Sequence, residues 1–231
     1  MNNKWKEAFL IHSKTSEYKE NINEAKKIIR NTFQKYQQPY IAFSGGKDST
    51  CMTHLVIQEN QDCMVLHWDF GRYYIPRKIH QEIKENIKKM EIKNLRIETS
   101  EQYEILKRKA INILGKEFIE GLIPRLSEEG YDASFIGLRT EESYKRKRRI
   151  KAGRSLTEIP EFFPLKNWTW MDVWAYIVEN NLPYLSHYDL YAPAIGWDKT
   201  RFTTFFDPEF DKYGCQNIDN FLMWRYKNAQ S

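Results

Sequence analysis

Residues 40–50 read Tyr40-Ile-Ala-Phe-Ser-Gly-Gly-Lys-Asp-Ser-Thr50. The apolar stretch Tyr40–Phe43 suits a short strand, Gly45-Gly46 a tight turn, and Asp48-Ser49-Thr50 the start of a helix. Two glycines take Cβ atoms out of the corner, so successive backbone N–H groups can converge on one point. Asp48 or Ser49 is expected to cap a helix beginning near Thr50, whose positive end then faces the same point. Ser44 and Ser49 add hydroxyls and Lys47 a mobile positive charge, so a phosphate chain is the natural occupant. The spacing is neither the Gly-x-x-x-x-Gly-Lys-Ser/Thr loop nor Gly-x-Gly-x-x-Gly. An ordinary strand–turn–helix corner would use the same turn residues, which makes the flanking segments decisive.

Those segments alternate. Apolar residues at helical spacing over 16–36 (Ile22, Ala25, Ile28, Ile29, Phe33) place a helix before the first strand. A helix over about residues 49–59 leads to a second apolar run at Cys63–Trp68. Residues 76–92 return to helical spacing, and Leu95–Thr99 reads as a third strand. A long helical stretch, broken at Gly115 and at residues 121–124, carries to a fourth strand at Ala133–Gly137. Alternation of this kind predicts an α/β fold: a Rossmann-like, open, mostly parallel sheet with helices on both faces. Ligands of such sheets sit at the carboxyl ends of the strands. Three candidate groups fall there, at Ser44–Ser49, at Asp69-Phe-Gly71 and at Gly137-Leu-Arg139.

A chain of 231 residues is one domain by default. We divide it into an N-terminal helical segment packed on the main domain (1–36), the α/β domain that carries the phosphate loop (37–190) and an aromatic C-terminal extension (191–231). The formal charge of +5 suits anionic small molecules or nucleic acid without deciding between them. No apolar run approaches the roughly 18 residues a membrane span needs, and the Met-Asn-Asn-Lys-Trp-Lys start lacks a secretory h-region, so a cytoplasmic protein is expected. Cys51, Cys63 and Cys215 are three and dispersed. That argues against disulfides, zinc and an iron–sulfur cluster.

Ser-Gly-Gly-Lys-Asp-Ser resembles the pyrophosphate-binding loop, Ser-Gly-Gly-x-Asp-Ser, of the adenine nucleotide alpha-hydrolase (PP-loop) superfamily. There the loop holds the β- and γ-phosphates while ATP is cut between its α- and β-phosphates. Asp69, about 20 residues further on, stands where a carboxylate meets a ribose hydroxyl. His67-Trp-Asp-Phe-Gly71 resembles the His-x-Asp-Thr-Gly stretch lining the nucleoside pocket in relatives of phosphoadenosine phosphosulfate reductase and the small subunit of ATP sulfurylase, with Phe70 in place of Thr. Gly137, Arg139, Glu142, Ser143 and Arg146 match that family's Gly-x-Arg-x-x-Glu-Ser-x-x-Arg element. Gly137 would let a ligand approach, Arg139 would fork onto phosphate or sulfate oxygens, and Glu142 would hold one of the arginines. Lys145–Arg149 is a run of five cations, expected to stay solvated as a mobile lid over polyphosphate or as a nucleic-acid patch. Phe163-Pro-Leu-Lys-Asn-Trp-Thr-Trp-Met-Asp-Val-Trp-Ala-Tyr-Ile177 and Asn181-Leu-Pro-Tyr184 resemble a further family segment. They read as core, with Thr169 and Asp172 forming a capping box.

The departures shape the functional reading. Sulfonucleotide reductases of the family use a cysteine in a Glu-Cys-Gly-x-His setting, whereas Cys215 lies in Lys212-Tyr-Gly-Cys-Gln-Asn217 without the Glu or the His. Reductases also tend to have a degenerate phosphate loop, and this loop is complete. The leading expectation is therefore a nucleotidyltransferase or ATP pyrophosphatase that binds Mg-ATP, cleaves the α–β bond and transfers AMP, in ATP sulfurylase-like or sulfur-insertion chemistry. Ser44, Gly45, Gly46, Asp48 and Ser49 would cradle pyrophosphate, Lys47 and Arg139 would neutralise developing charge, and Asp48 would contact Mg²⁺. Asp69, Gly137 and Arg146 complete the nucleotide-binding set. The alternatives are a thiol-dependent phosphoadenosine phosphosulfate reductase with Cys215 as nucleophile, and a non-catalytic module binding nucleotide or nucleic acid through residues 145–149. ATP sulfurylase small subunits act with a larger GTPase, so the resemblance also admits a partner subunit.

Overall fold

Five strands, all parallel, form one sheet in the order β3-β2-β1-β4-β5: β1 Pro39–Phe43, β2 Met64–Trp68, β3 Leu95–Glu98, β4 Ala133–Ile136 and β5 Glu161–Phe162. The computed structural model describes residues 1–71, 75–107, 109, 117–153, 155 and 157–202. The first four strands fall where the hydrophobic pattern places them. β2 is buried at all five positions, as a central parallel strand covered on both faces must be. β5 has two residues and no periodicity to read; it exists because the chain after residue 152 returns alongside β4, pairing Ser134 with Glu161.

Sequence order runs outward from β1 to β2 and β3, then restarts at β4 on the other side. Strand order reverses between β1 and β4, the crevice where open α/β sheets bind ligands.

Helices α1 (Asn3–His12), α2 (Ser16–Lys35), α3 (Lys47–Glu59) and α4 (Arg77–Lys89) are followed by two short ones, α5 (Gln102–Leu106) and α6 (Ile123–Glu128). Next come α7 (Tyr144–Ala152), α8 (Trp170–Glu179) and α9 (His187–Ile195). In α4, Ile79, Ile83 and Ile87 recur at helical spacing, and all three are buried. Trp168, Trp174 and Tyr176 are core, as their spacing predicts, and Tyr188 and Trp197 join them. Trp174 packs edge-on against Trp197 at 4.7 Å and against Tyr188 at 5.1 Å. Helix α1 inserts Phe9 against Trp174 at 6.2 Å.

Asp172 joins these pieces. Buried at the first turn of α8, it accepts from the Thr169 N–H (2.7 Å), the Thr169 hydroxyl (2.9 Å) and Asn21 Nδ2 (3.0 Å), and pairs with His12 Nε2 at 2.7 Å. Thr169 Oγ1 accepts the Asp172 N–H in return, which completes the capping box.

Residues 145–149, expected to stay solvated as a mobile lid or a nucleic-acid patch, lie in the helix α7, with Lys145, Lys147 and Arg148 exposed. Ser143 caps its start by accepting the Arg146 N–H, and Gly153 ends it in the left-handed region at φ 59°. Carboxylates relieve part of the repulsion within the run, Glu142 at Arg146 and Glu161 at Arg149.

Candidate functional site

The glycine turn has an asymmetry that spacing did not reveal. Gly45 sits at φ +85°, and a Cβ there would stand 2.7 Å from Ile83 Cγ1, so only glycine fits. Gly46 has an ordinary φ of −78° and is itself the N-cap of α3. The helix therefore starts at Lys47, three residues earlier than expected, and neither Asp48 nor Ser49 caps it. Ser49 Oγ turns back to donate to the Gly46 carbonyl (2.9 Å) and accepts from Ser44 N–H (3.3 Å) and Ser44 Oγ (3.1 Å). The hydroxyls thus pin the turn from within. The Lys47 N–H, one of the unsatisfied donors of the helix start, is taken by the Tyr188 hydroxyl at 3.3 Å.

Lys47 and Arg139, read as charges facing a ligand, are instead buried at 2% and 3% exposure, and neither lines the cavity described below. Asp48 holds both, accepting from Lys47 Nζ at 3.0 Å through Oδ2 and from Arg139 Nε through Oδ1. Arg139 also donates through Nη1 to Glu141 (2.7 Å) and to the Trp168 carbonyl (3.4 Å). Burial pushes the Asp48 carboxyl up, but Arg139 and Lys47 outweigh it and hold the group well below the usual carboxylate range. Burial likewise opposes the Arg139 charge, which the Asp48, Glu142 and Glu141 carboxylates more than restore.

Gly137 serves a different purpose from the one expected. A Cβ there would come within 3.0 Å of Ser49 N and 3.1 Å of the Asp48 carbonyl carbon and oxygen. The end of β4 and the first turn of α3 touch backbone to backbone, so glycine is needed for the fold as well as for the cavity wall. Glu142 holds an arginine, as anticipated: it pairs with Arg146, accepts the Arg139 N–H at 3.2 Å and lies 3.5 Å from Arg201 Nη2.

Asp69 is also placed otherwise. Oδ1 accepts the Gly71 N–H (2.8 Å), and Oδ2 pairs with His80 Nε2 (2.7 Å) and stands 3.6 Å from Lys84 Nζ. Burial raises its pKa, but the His80 and Gly71 hydrogen bonds outweigh that and keep it below the ordinary carboxylate value. The carboxylate ties the end of β2 to α4, and Phe70 rather than Asp69 lines the cavity. His67 is a buried strand residue that donates from Nδ1 to the Phe43 carbonyl at 2.9 Å, and burial keeps it neutral by lowering its pKa.

One cavity of about 600 Å³ crosses the carboxyl ends of four adjacent strands. Its centre is the turn, with Ser44, Gly46, Asp48, Ser49 and Gly137. The arm over β2 is apolar, walled by Leu66, Trp68, Phe70, Ile75 and Phe118. The arm toward β5 is cationic, walled by Lys145, Arg146, Arg148 and Arg149 of α7. Of the residues proposed from sequence, the cavity brings together Ser44, Gly46, Asp48, Ser49, Gly137 and Arg146. It leaves Gly45, Lys47, Asp69 and Arg139 behind its walls. Cys215 lies outside the described residues. Tyr188, Glu141 and Phe202, which packs 3.6 Å from a Cβ built on Gly46, carried no motif signal; the Leu-Pro-Tyr segment beside α9 was the only local hint.

Magnesium was expected at Asp48, yet both oxygens of that carboxylate are occupied by cationic side chains. Among the described residues no group of three or more His, Cys, Asp or Glu is arranged to hold a metal ion. The donor set does not fit a protein-held magnesium. Likewise, no helix among the described residues is long and apolar enough to cross a membrane.

Residues 38–216 match the family model of the phosphoadenosine phosphosulfate reductase domain. An uncharacterized protein of Methanocaldococcus jannaschii is 27% identical over 185 residues, 73% of this chain; the chain spans 37% of that protein's length. The adenosine 5′-phosphosulfate reductase of Bacillus mycoides is 27% identical over 210 residues, covering 84% of this chain and 85% of that protein. Two solved structures share the fold. The phosphoadenylyl-sulfate reductase of Candida auris, in a phosphate complex, has a TM-score of 0.53 at 17% identity, covering 72% of this chain and 84% of that one. The NMN synthetase of Francisella tularensis has a TM-score of 0.54 at 15% identity, covering 89% and 85%.

Proposed function

This chain belongs to the phosphoadenosine phosphosulfate reductase domain family, and from that premise we propose that it is a sulfonucleotide reductase acting on adenosine 5′-phosphosulfate or its 3′-phosphorylated form. Adenine nucleotide binding is the family's common property. The observation that carries the reading is the cavity at the β1/β4 crevice, which joins the Ser44–Ser49 turn, the N-terminus of α3 and the cationic face of α7. The reductases among the relatives favour this chemistry over the AMP transfer that the complete loop first suggested.

In this reading the nucleoside lies in the apolar arm and the 5′ chain at the turn. A thiolate attacks the sulfur, the S–O bond to the phosphate breaks, and the electron pair leaves on the phosphate oxygen. A second thiol then attacks the resulting thiosulfonate, giving a disulfide and sulfite. The growing charge on the leaving phosphate would be met by backbone N–H groups of α3 and by Arg146. Fixed donors of this sort are each worth about 3–4 kcal/mol in a transition state. The thiol comes from neither Cys51 nor Cys63. Cys51 is buried and donates to the Val173 carbonyl, and burial pushes Cys63 up to about 12. Cys215 or an external dithiol remains.

The test is direct: the chain with either sulfonucleotide and a dithiol should release sulfite, and Cys215→Ser should abolish the release if that residue is the nucleophile. A second reading, ATP cleavage with AMP transfer, is favoured by the complete Ser44-Gly45-Gly46-Lys47-Asp48-Ser49 turn. Pyrophosphate release from ATP, magnesium and sulfate, with no sulfite from either sulfonucleotide, would put it first.

A further inference from the structure

Helix α7 sorts its cations by whether a carboxylate answers them. Residues 143–157 carry seven Lys or Arg and no Asp or Glu. At about 100° per residue, Arg146, Arg149 and Ile150 fall on one side of the helix, and all three are half-buried. Glu142 pairs with Arg146, and Glu161 with Arg149, whose guanidinium carbon also lies 5.6 Å from the Phe163 ring. The opposite arc, about 160° wide, runs through Lys147, Lys151, Tyr144, Arg148, Ala152 and Lys145, and every one is exposed. Lys147, Arg148 and Lys151 make no ion pair with a described residue. Tyr144, in the middle of the arc, is 75% exposed.

Left to itself this arc is unfavourable twice over. Lys147 and Lys151 are like charges four residues apart, and Arg148 and Lys151 three apart, so each pair is repulsive. Lys145 and Lys147 also stand in the first turn, at the positive end of the helix dipole, with no acidic residue beside them. A polyanion lying along the arc relieves both. A bilayer surface would need an apolar face to bury beside the charges, and the arc offers only Ala152 and the Tyr144 ring. An exposed ring set among cations suits a single strand, whose phosphates meet the cations while an unpaired base stacks on the ring. From Tyr144 to Lys151 the arc is about 10 Å long, the rise of about three phosphates in a stacked strand.

We propose that the outer arc of α7 binds single-stranded RNA, with Lys147, Arg148 and Lys151 on its phosphates and Tyr144 under an unpaired base. RNA is the occupant because its loops, bulges and ends present unpaired bases to stack on aromatic side chains. The surface is separate from the cavity: Tyr144, Lys147 and Lys151 do not line it, and Arg148 stands at the border between the two.

Fluorescence anisotropy of a short labelled oligo-uridine, titrated with the full chain, tests the assignment. Three phosphate contacts give a slope of log affinity against log salt of about −2 for a single strand, so binding weakens about 20-fold between about 50 and 200 mM KCl. Lys147→Gln combined with Lys151→Gln, two exposed positions away from the cavity, melts with the parent, flattens the slope to about −0.7 and weakens binding at low salt by about tenfold or more. Tyr144→Ala weakens binding by about fivefold or more at an unchanged slope, whereas Tyr144→Phe, which keeps the ring, binds like the parent. Absence of oligo-uridine binding at about 50 mM KCl overturns the proposal, as does affinity that survives the double substitution or Tyr144→Ala. Oligo-thymidine bound more tightly than oligo-uridine, or polyglutamate competing as well as oligo-uridine, overturns it too. Binding to phosphatidylserine vesicles in place of oligo-uridine assigns the arc to a membrane surface instead. The titrations contain no AMP, so their outcome is independent of what the cavity binds.

Discussion

Replacing each of three glycines with alanine tests the geometry of the turn, because the three positions differ in physical kind. Gly45 stands at φ +85°, and its Cβ would meet the fully buried Ile83 at 2.7 Å. The left-handed backbone costs about 1–2 kcal/mol for an L-residue and the overlap about 1–3 kcal/mol. At roughly 2–4 °C per kcal/mol for a chain of this size, Gly45→Ala should lower the melting temperature by about 4–20 °C. Gly137 has no backbone strain, but its Cβ would face the backbone of Asp48 and Ser49 at 3.0–3.1 Å. Backbone yields less readily than a side chain, so about 1–3 kcal/mol, or about 2–12 °C, is expected. At Gly46 the nearest atoms are 3.6 Å away, ordinary contact. A cap loss of up to about 1 kcal/mol is offset by about 0.4–1 kcal/mol from a stiffer unfolded chain.

Gly46→Ala should therefore melt within about 2 °C of the parent, yet its Cβ enters the cavity beside Ser44 Oγ and Phe202. Thermal unfolding and AMP affinity, measured on all three variants, should dissociate: Gly45→Ala and Gly137→Ala lose stability, while Gly46→Ala loses affinity alone. A Gly46→Ala variant as unstable as Gly45→Ala, or a Gly137→Ala variant that melts like the parent, would refute the reasoning.

Asp48→Asn takes the carboxylate from buried Lys47 and leaves buried Arg139 with Glu141 alone, and should cost about 3–5 kcal/mol at pH 7 by urea unfolding. The depressed folded pKa of Asp48 means its stabilisation is complete above the unfolded value near 3.9 and is lost as pH falls through the lower folded value. The gap between parent and variant should hold from pH 7 to 5 and close only below about pH 4. His187 behaves oppositely. Burial, then Lys47, holds it down at about 3, so the unfolded chain takes up the proton first and stability falls below about pH 6.5, by roughly 2 kcal/mol at pH 5. Its ring nitrogens have no hydrogen-bond partner among the described residues, so His187→Phe should flatten the pH dependence between 7 and 5; an unchanged slope would contradict this. Asp172→Ala strands the donors of Thr169, Asn21 and His12 and should destabilise by about 2–4 kcal/mol in the same unfolding assay.

The sheet was legible because parallel strands buried on both faces print continuous apolar runs, as at Ala133–Ile136 and Met64–Trp68. The turn was legible because glycine and hydroxyl residues have few other reasons to cluster after a strand. Long-range pairing was not legible. The short β5 exists only through β4, and α1 was covered only by the general expectation of a helical segment over 1–36, because its main signal, Phe9, gains meaning from Trp174, 165 residues later. The helix over the basic run 145–149 was hidden for the same reason. Helical charge repulsion is a local property, whereas the carboxylate that answers Arg149 is Glu161, reached through a strand pairing the sequence does not announce.

The same contrast revises where recognition resides. Reading Lys47 and Arg139 as ligand cations assumed that a motif charge faces the ligand. In the folded chain Asp48 pairs with both and Glu141 adds a second carboxylate to Arg139, and a buried cation so paired is costly to redirect, because leaving its partner would strand a charge in a desolvated site. The backbone N–H groups of the turn have no such cost, and neither does Arg148, which is exposed and faces the cavity. Anion recognition in the proposed reading therefore falls first to the turn's backbone and to α7, with the Lys47–Asp48–Arg139 cluster setting the position of the α3 terminus. On this account Arg148→Gln should change what the chain binds and Asp48→Asn whether it stays folded. A Lys47→Ala variant that lost affinity while melting like the parent would return the cation to the ligand and undo the argument.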